Sequence, residues 1–303
     1  ARRLCADQNV VGFMYALYNV LGFLYLLIAG PAYLLKVYRN RDYRQGFGSR
    51  FGFFADDLAK RLAGHRWIWV HAVSVGEVIA ARPVLGEIRK RFPNDKILLS
   101  TVTPTGQQMA RESKDADMTV FLPVDVAWWA VNRLVAMVNP KVLVIMETEL
   151  WPNLIRSVSK RGVPIAMING RISDRSFKRY HKARIFLRDL LSRISFFGMQ
   201  TEDDARRIMT IGAPKERVHV SGSCKFDTLN IANTENLETL RALIVAGRDR
   251  RVIIAGSTHP GEEEMLLRVY EKTRREVENP LLVIAPRHID RSPAIKTLVE
   301  QTG

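Results

Sequence analysis

The chain has 303 residues, of which 47% are hydrophobic and 25% are charged, a composition typical of a globular protein with about two domains. This composition excludes a disordered tail, a collagen-like fibre and a protein that crosses a membrane many times. The net charge of +15 calls for acidic partners, which are nucleic acid, anionic lipid or phosphorylated substrates. The two cysteines, Cys5 and Cys224, lack metal-ligand spacing, so the sequence predicts neither a disulfide framework nor a zinc site and fits a reducing cytoplasm.

An apolar segment comes first in chain order. Residues 10–35 carry no charged side chain. As a helix they would reach roughly 39 Å, which exceeds a hydrocarbon core of about 30 Å. Gly30 and Pro31 predict a kink or an end of this helix, which leaves 10–29 as the span. The sequence therefore predicts a single membrane anchor, with a buried core helix and an uncleaved signal sequence as the alternatives.

Positive charge flanks the apolar segment unequally. Arg2 and Arg3 precede it, whereas the basic residues that follow it are Lys36, Arg39, Arg41, Arg44 and Arg50. The more basic flank of an anchor usually stays in the cytoplasm. We therefore expect the rest of the chain on the cytoplasmic side of the membrane, where the same cluster can pair with anionic head groups.

Short apolar runs alternate with helical patterns from residue 67 onward. The runs that predict buried strands are 67–72, 96–100, 118–123, 141–146 and 164–169. Strands that alternate with helices favour a parallel sheet covered on both faces. Two further runs, near 196–200 and 218–221, would complete a Rossmann-like domain.

The alternation restarts after an acidic, irregular stretch at 230–238. The runs 251–256 and 281–286 predict two strands separated by a helix. An independent doubly wound domain needs more than about 60 residues to bury its sheet, so we expect the second α/β domain to be truncated. The predicted organisation is a membrane anchor at 1–36, a Rossmann-like domain at 37–230 and a partial second Rossmann-like domain at 244–303.

Carboxylates follow two of the predicted strands, where the ligands of parallel sheets bind. Glu77 is either half of a capping box with Ser74 or a general base that a helix N-terminus keeps ionised. Glu147 stands directly at a strand end. Glu149 lies two residues further along an extended segment, so at most one of these two faces a shared cleft. We expect Glu147 to face it, and Glu149 to be either that residue instead or a helix N-terminal acid.

Basic and small residues follow the later strands. Lys225 is either a solvated surface charge or a group that neutralises a phosphate or carboxylate at the domain junction. The small-residue loop at 256–262 suits phosphate binding, although it is not a Walker motif. Arg287 is either a bidentate phosphate contact or a brace at the sheet edge.

The motifs resemble, in joint order and spacing, those of the lipid A 3-deoxy-D-manno-octulosonic acid (Kdo) transferase family of Gram-negative envelopes. The resemblance covers nearly the whole chain. Besides the anchor, it rests on R-x-G-F (50–53), H-A-V-S-V-G-E (71–77), S-T-V-T-P-T-G (100–106), M-E-T-E-L-W-P-N (146–153), N-G-R-I-S-D-R-S (169–176), G-S-C-K-F-D (222–227), G-S-T-H-P-G-E-E (256–263) and A-P-R-H (285–288).

This resemblance implies a GT-B-type glycosyltransferase that uses neither a metal nor a cofactor, with the acceptor in the first domain and CMP-Kdo in the second. The base of the family falls on Glu77, and its transition-state stabilisers fall on Glu147 and Lys225. The P-R pair of the family, here Pro286 and Arg287, would contact the CMP moiety. The later G-H-N-x-x-E-P-type donor motif of the family has no counterpart in this chain. The resemblance therefore implies an incomplete donor site if these residues are the whole polypeptide, and an unchanged assignment if they are a fragment.

The implied reaction transfers Kdo from CMP-Kdo to the lipid A precursor (lipid IVA) by inverting direct displacement at the bacterial inner membrane. The expected partners are this donor, this acceptor and anionic membrane lipid, and not nucleic acid. Between Arg171 and Arg193, eight basic residues stand against two aspartates, which suits a phosphorylated acceptor at a membrane. The alternatives are a GT-B enzyme with another nucleotide sugar and a basic nucleic-acid-binding protein, for which no recognition module is visible.

Overall fold

The computed structural model describes residues 2–39, 44, 46–227, 241 and 251–302. The chain divides into two compact units, Ala1–Leu229 and Asn230–Gly303. The irregular stretch predicted at 230–238 lies outside the described residues.

Seven parallel strands form the sheet of the first unit. In chain order they are β1 (Trp67–His71), β2 (Lys96–Thr101), β3 (Met118–Phe121), β4 (Pro140–Met146), β5 (Ile165–Gly170), β6 (Phe196–Met199) and β7 (Val218–Val220). Their spatial order is β3-β2-β1-β4-β5-β6-β7, and every neighbouring pair is parallel. The chain therefore winds from β1 towards one edge of the sheet and from β4 towards the other. The predicted α/β fold with a parallel sheet is confirmed.

Helices connect these strands. In chain order they are α1 (Arg2–Arg39), α2 (Asp56–Leu62), α3 (Val75–Arg91), α4 (Pro104–Arg111), α5 (Trp128–Val138), α6 (Pro152–Ser159), α7 (Asp174–Lys182), α8 (Arg184–Ser192) and α9 (Glu202–Ile211). Several of their boundaries follow from local chemistry. Thr103 caps α4 by accepting a hydrogen bond from the backbone N–H of Gly106 at 3.0 Å, and α5 ends at Asn139 in the left-handed conformation.

Two apolar clusters cover the two faces of the central sheet. Alternate residues of a strand point to opposite faces, so Trp69 packs in one cluster with Leu134 of α5 and Leu154 of α6. Its neighbour Val70 packs in the other cluster with Leu85 of α3. All five of these side chains are fully buried. Burial on both faces explains why the strands appear in the sequence as continuous apolar runs.

The N-terminal helix continues through the residues predicted to kink or end it. α1 contains Pro31 and extends to Arg39. Proline removes one backbone N–H, and in an apolar segment the remaining helical hydrogen bonds have few competing partners, so the helix persists. Among the described residues, Gly12–Arg39 is the one helical stretch long and apolar enough to cross a membrane, with a mean hydropathy of 1.8.

The second unit contains two parallel strands and two helices among its described residues. β8 (Val252–Thr258) pairs with β9 (Leu281–Pro286) in parallel. α10 (Glu262–Glu276) joins them, and α11 (Ser292–Thr302) follows β9 after a short 3-10 turn. This β-α-β unit agrees with the two strands and the intervening helix that the sequence predicts there.

Candidate active site

The candidate site lies where the winding of the first sheet changes direction. β1 and β4 are neighbours, and the chain leaves them towards opposite edges of the sheet. Loops that leave such a pair in opposite directions open a crevice at the carboxyl ends of the strands, and this crevice is the usual ligand site of doubly wound sheets. The loop after β1 leads to Glu77 in the first turn of α3, and Glu147 directly follows β4.

Glu77 is buried, and both of its carboxylate oxygens accept hydrogen bonds. Oε2 accepts from the backbone N–H of Val73 at 2.8 Å, and Oε1 accepts from the hydroxyl of Ser74 at 3.0 Å. Burial raises the pKa of Glu77, the two donors oppose this shift, and the charge of Glu147 adds to it. Ser74 makes no side-chain cap to the first turn of α3 and donates to Glu77 instead, so the capping box that the sequence offers as one alternative is not formed.

Glu147 adopts a left-handed backbone conformation, with φ of 57°. Its N–H donates to the carbonyl of Ile168 at 2.8 Å, so the residue is tied to β5 where β4 ends. Its Oε1 atom lies 3.8 Å from the Nζ atom of Lys225. The structure thus brings together two residues that the sequence places 78 positions apart, and it gives Lys225 a carboxylate partner.

Lys225 reaches the site because the segment after β7 is tied to β5. The backbone N–H of Cys224 donates to the side-chain oxygen of Asn169 at 3.1 Å. Asn169 is buried and also left-handed, with φ of 60°. Its side chain therefore positions the adjacent lysine at the crevice.

Glu149 lies near enough to Glu77 and Glu147 for their charges to act on it, whereas the sequence predicts that at most one of Glu147 and Glu149 faces a shared cleft. Burial and, to a smaller extent, the charges of Glu77 and Glu147 together raise the pKa of Glu149 to about 7. The expectation assumed an extended segment with strict two-residue alternation. The left-handed backbone of Glu147 breaks that alternation.

The loop after β2 supports the loop between β1 and Glu77 through backbone hydrogen bonds. The carbonyl of Val73 accepts hydrogen bonds from the N–H groups of Val102 and Thr103, both at 3.2 Å. A Cβ atom on Gly106 would lie 3.1 Å from that carbonyl and 2.7 Å from Oγ1 of Thr103, so this position has no room for a side chain. The T-P-T-G motif is therefore explained by close backbone packing against the loop that carries the candidate base.

Arg50 in turn supports the loop after β2. Its side chain is buried, with the guanidinium 4.7 Å from the ring centroid of Phe121. Its Nη2 atom donates to the carbonyl of Val102 at 2.6 Å. In the sequence, R-x-G-F is visible only as a motif, because the carbonyl that Arg50 contacts is 52 residues away in the chain.

Helix α7 follows Arg171, whose backbone N–H donates to the hydroxyl of Thr148 at 2.9 Å, and the helix carries exposed positive charge. Burial raises the pKa of Tyr180 on this helix, and the charge of Glu149 raises it further. The basic side chains of α7 that lie exposed to solvent are Arg175, Lys178, Arg179 and Lys182. An anionic group that enters the crevice from this side would meet a positive surface.

Pro286 and Arg287 lie at the end of β9 in the second unit. The N–H of Arg287 donates to the carbonyl of Thr258 at 3.0 Å, which joins the loops after β8 and β9. Glu263 is buried beside them, where it accepts from the hydroxyl of Thr258 at 2.8 Å and from both Nη atoms of Arg291 at 2.9 and 3.0 Å. Among the described residues, no group of three or more His, Cys, Asp or Glu side chains is arranged to hold a metal ion.

The fold is that of the GT-B type. The chain is similar to the solved structure of UDP-GlcNAc 2-epimerase from Neisseria meningitidis, with a TM-score of 0.58 and 14% identity. The match covers 78% of this chain and 69% of that one. A putative UDP-N-acetylglucosamine 2-epimerase from Listeria monocytogenes gives a TM-score of 0.53 at 13% identity, covering 79% and 66%. At these identities the likeness shows the fold alone.

Residues 45–228 match the family model of 3-deoxy-D-manno-octulosonic-acid transferase (kdotransferase), and the chain belongs to this family. It is 34% identical to the 3-deoxy-D-manno-octulosonic acid transferase of Haemophilus influenzae over 91% of this chain and 65% of the relative. It is 37% identical to the bifunctional glycosyltransferase/methyltransferase of Fusobacterium nucleatum over 80% and 37%, respectively. The chain thus spans about two thirds or less of the length of these relatives.

Proposed function

We propose that this chain carries the acceptor-binding and catalytic part of a Kdo transferase, which moves Kdo from CMP-Kdo to the lipid A precursor (lipid IVA). One observation supports this most strongly. In a chain of this family, the buried Glu77 and the Glu147–Lys225 pair meet at the crevice where β1 and β4 diverge. These are the positions that the sequence resemblance assigns to the base and to the two transition-state stabilisers.

Glu77 acts as the general base in this proposal. The acceptor hydroxyl is a weak nucleophile at neutral pH, so it needs a group that takes its proton as it attacks. Its oxygen forms a bond to the anomeric carbon of Kdo while the bond from that carbon to the phosphate oxygen of CMP breaks. The proton goes to Glu77, and CMP leaves with the electron pair, which inverts the anomeric configuration. The hydrogen bonds from Val73 and Ser74 fix the direction of the carboxylate.

Glu147 and Lys225 stabilise the charges that develop during this displacement. Positive charge develops at the anomeric carbon, and negative charge develops on the departing CMP. A carboxylate and an ammonium group held 3.8 Å apart can offset both without waiting for water to reorient. Pro286 and Arg287 would contact CMP, and the guanidinium group of Arg287 suits a phosphate better than a lysine does because it can donate two parallel hydrogen bonds.

The membrane anchor and the basic helix supply the acceptor side. α1 would attach the protein to the bacterial inner membrane with the catalytic part on the cytoplasmic side, as the basic flank after residue 35 predicts. Because Tyr18 and Asn19 of α1 bind the rest of the first unit, the attachment would use the exposed apolar face of the helix and not the single-pass span that the sequence predicts. The exposed basic residues of α7 would then face anionic lipid and the phosphates of the acceptor.

The full-length protein with Glu77→Gln tests the proposed base. Glutamine can keep both contacts, because its oxygen can accept from the N–H of Val73 and its amide can donate to the hydroxyl of Ser74. We therefore expect normal folding and a fall in kcat for Kdo transfer of about 100- to 10,000-fold, the usual contribution of a positioned base. Glu87→Gln on the exposed face of the same helix is the matched control and should leave kcat unchanged.

Near wild-type turnover by Glu77→Gln would remove Glu77 from the role of base. Competition by free nucleotides addresses the donor. CMP should inhibit transfer at far lower concentrations than UDP does, and the reverse order would favour a GT-B enzyme with a UDP-sugar donor.

A further inference from the structure

Three polar side chains of the apolar helix α1 face the rest of the first unit. The ring of Tyr15 is buried, with the guanidinium of Arg156 4.3 Å from its centroid. The hydroxyl of Tyr18 donates to Oδ2 of Asp125 at 3.0 Å. The side-chain oxygen of Asn19 accepts from Nδ2 of Asn153 at 2.7 Å. The spacing of these residues places all three on one helical face.

The same face of α1 approaches the unit closely at Gly22. A Cβ atom at this position would lie 2.1 Å from Cγ1 of Val126, so no side chain fits there. The opposite face of the helix is different, because Leu17, Leu21 and Leu24 are exposed. α1 therefore has one polar face that docks on the protein and another that is apolar and exposed.

Asp125, which receives the Tyr18 hydroxyl, caps helix α6. This carboxylate is buried, and it accepts hydrogen bonds from the backbone N–H groups of Asn153 at 2.9 Å and Leu154 at 3.0 Å. The N-cap residue of α6, Trp151, supplies no side-chain cap of its own. The unpaired N–H groups of the first helical turn thus depend on a residue from another loop.

Asn153, which donates to Asn19, belongs to the same buried arrangement. Its Nδ2 atom also donates to the backbone carbonyl of Asp125 at 2.8 Å. Both α1 contacts therefore end on the pair Asp125 and Asn153, at the first turn of α6.

The start of α6 fixes one end of the loop that carries two of the site carboxylates. This loop runs from Glu147, at the end of β4, to Trp151, at the start of α6. Trp151 also packs edge-to-face on the buried His71 at the end of β1, with ring centroids 5.9 Å apart. Any shift of the first turn of α6 would therefore move the loop that holds Glu147 and Glu149.

We propose that Tyr18 and Asn19 are positioning residues for the active site. Through Asp125 and Asn153, the docked face of α1 holds the first turn of α6, and with it the 147–151 loop, in the geometry that transfer requires. α1 is then part of the catalytic unit as well as a membrane attachment. This inference rests on the proposed function of the crevice and adds to it a role for the helix.

The pH at which Asp125 ionises gives a second measurement besides activity. Burial raises the pKa of Asp125 to about 6, and the hydrogen bonds from Asn153, Leu154 and Tyr18 oppose this shift. Two other charged groups, Arg156 on α6 and Asp189 on α8, lie near this part of α1. Both of them contact Tyr15. Loss of the Tyr18 hydroxyl should raise the pKa of Asp125 further, so the cap would lose its charge at a higher pH.

Tyr18→Phe in the full-length protein tests the proposal, with Tyr25→Phe, at an exposed position two turns further along the same helix, as the matched control. A misplacement of about 1 Å at a reacting group can cost about 100-fold in rate. We expect Tyr18→Phe to lower kcat about tenfold and to change KM less than about threefold. The acid limb of its pH–rate profile should move to higher pH. Tyr25→Phe should match the wild type, and both variants should sediment with membranes.

Asn19→Ala is the second variant, because it removes the acceptor for Asn153 and leaves the Tyr18 hydroxyl in place. It should lower kcat without moving the acid limb. The proposal is overturned if Tyr18→Phe and Tyr25→Phe share one kcat and one pH profile. It is also overturned if kcat falls only in proportion to thermal stability while the acid limb stays in place.

Amide hydrogen exchange separates failure of this inference from failure of the proposed function. Residues 147–154 should exchange faster in Tyr18→Phe than in Tyr25→Phe, whatever the donor and acceptor are. Equal exchange in the two variants would overturn the positioning role even in an active Kdo transferase. Faster exchange in a protein that transfers no Kdo would leave the positioning role intact and refute the proposed function.

Discussion

Replacing Glu149 by glutamine removes a titratable group from the crevice and keeps the shape of the side chain. The ordinary pKa of a glutamate is near 4.5, and burial together with the charges of Glu77 and Glu147 raises that of Glu149 to about 7. One pKa unit corresponds to about 1.4 kcal/mol, so ionising Glu149 in the folded protein costs on the order of 3 kcal/mol more than in the unfolded chain.

The sign of the effect follows from where the proton is bound. Because the pKa of Glu149 is raised on folding, its protonated form contributes stability that is fully present below the unfolded value of 4.5. This contribution is lost as the pH rises towards the folded value of about 7. Glutamine does not titrate. The free energy of unfolding of Glu149→Gln, relative to the wild type, should therefore increase between these two values and level off at higher pH.

Urea denaturation followed by tryptophan fluorescence at a series of pH values measures this difference. We expect the two proteins to differ little near pH 4 and Glu149→Gln to be more stable near pH 8 by on the order of 1–3 kcal/mol. Glu112→Gln, at an exposed position, is the control and should show no such trend. A difference between Glu149→Gln and the wild type that stays constant with pH would refute the raised pKa of Glu149 and its placement near Glu77 and Glu147.

Two further predictions concern the second unit and the core. Arg287→Ala should weaken CMP binding to the full-length protein about 10- to 100-fold, as expected for the loss of a charged hydrogen bond. Unchanged affinity by titration calorimetry would contradict a donor-site role. Leu134→Ala should lower the free energy of unfolding by about 2–5 kcal/mol because the side chain is fully buried, whereas Trp128→Ala on the same helix, half exposed, should cost much less. Equal losses in urea denaturation would contradict the packing described for α5.

Continuous apolar runs made the strands of the first sheet predictable from sequence. The run predicted at 141–146 corresponds to Pro140–Met146, because a strand buried on both faces has no polar side to interrupt the pattern. The continuation of α1 past Pro31 was not predictable from local rules. Those rules describe helices in water, and the apolar stretch around Pro31 offers few competing partners for its backbone groups.

The sequence provides candidate residues for the site but not the contacts that connect them. The sequence resemblance identified Glu77, Glu147 and Lys225, yet the inclusion of Glu149 depends on the backbone of Glu147, which side-chain patterns do not report. The links from Tyr18 to Asp125 and from Asn19 to Asn153 join residues more than a hundred positions apart. Nothing local to the N-terminal helix indicates that its few polar side chains have partners so far along the chain.

The left-handed backbone at position 147 favours glycine for stability, whereas the proposed mechanism needs the carboxylate of Glu147 there. A residue with a Cβ atom pays about 1–2 kcal/mol to adopt this conformation, whereas glycine adopts it freely. A library of variants selected for heat resistance alone would therefore enrich Glu147→Gly and discard the carboxylate beside Lys225. Efforts to stabilise this protein need an activity screen at every round, because a gain in stability lies at a residue to which the proposed mechanism assigns a role.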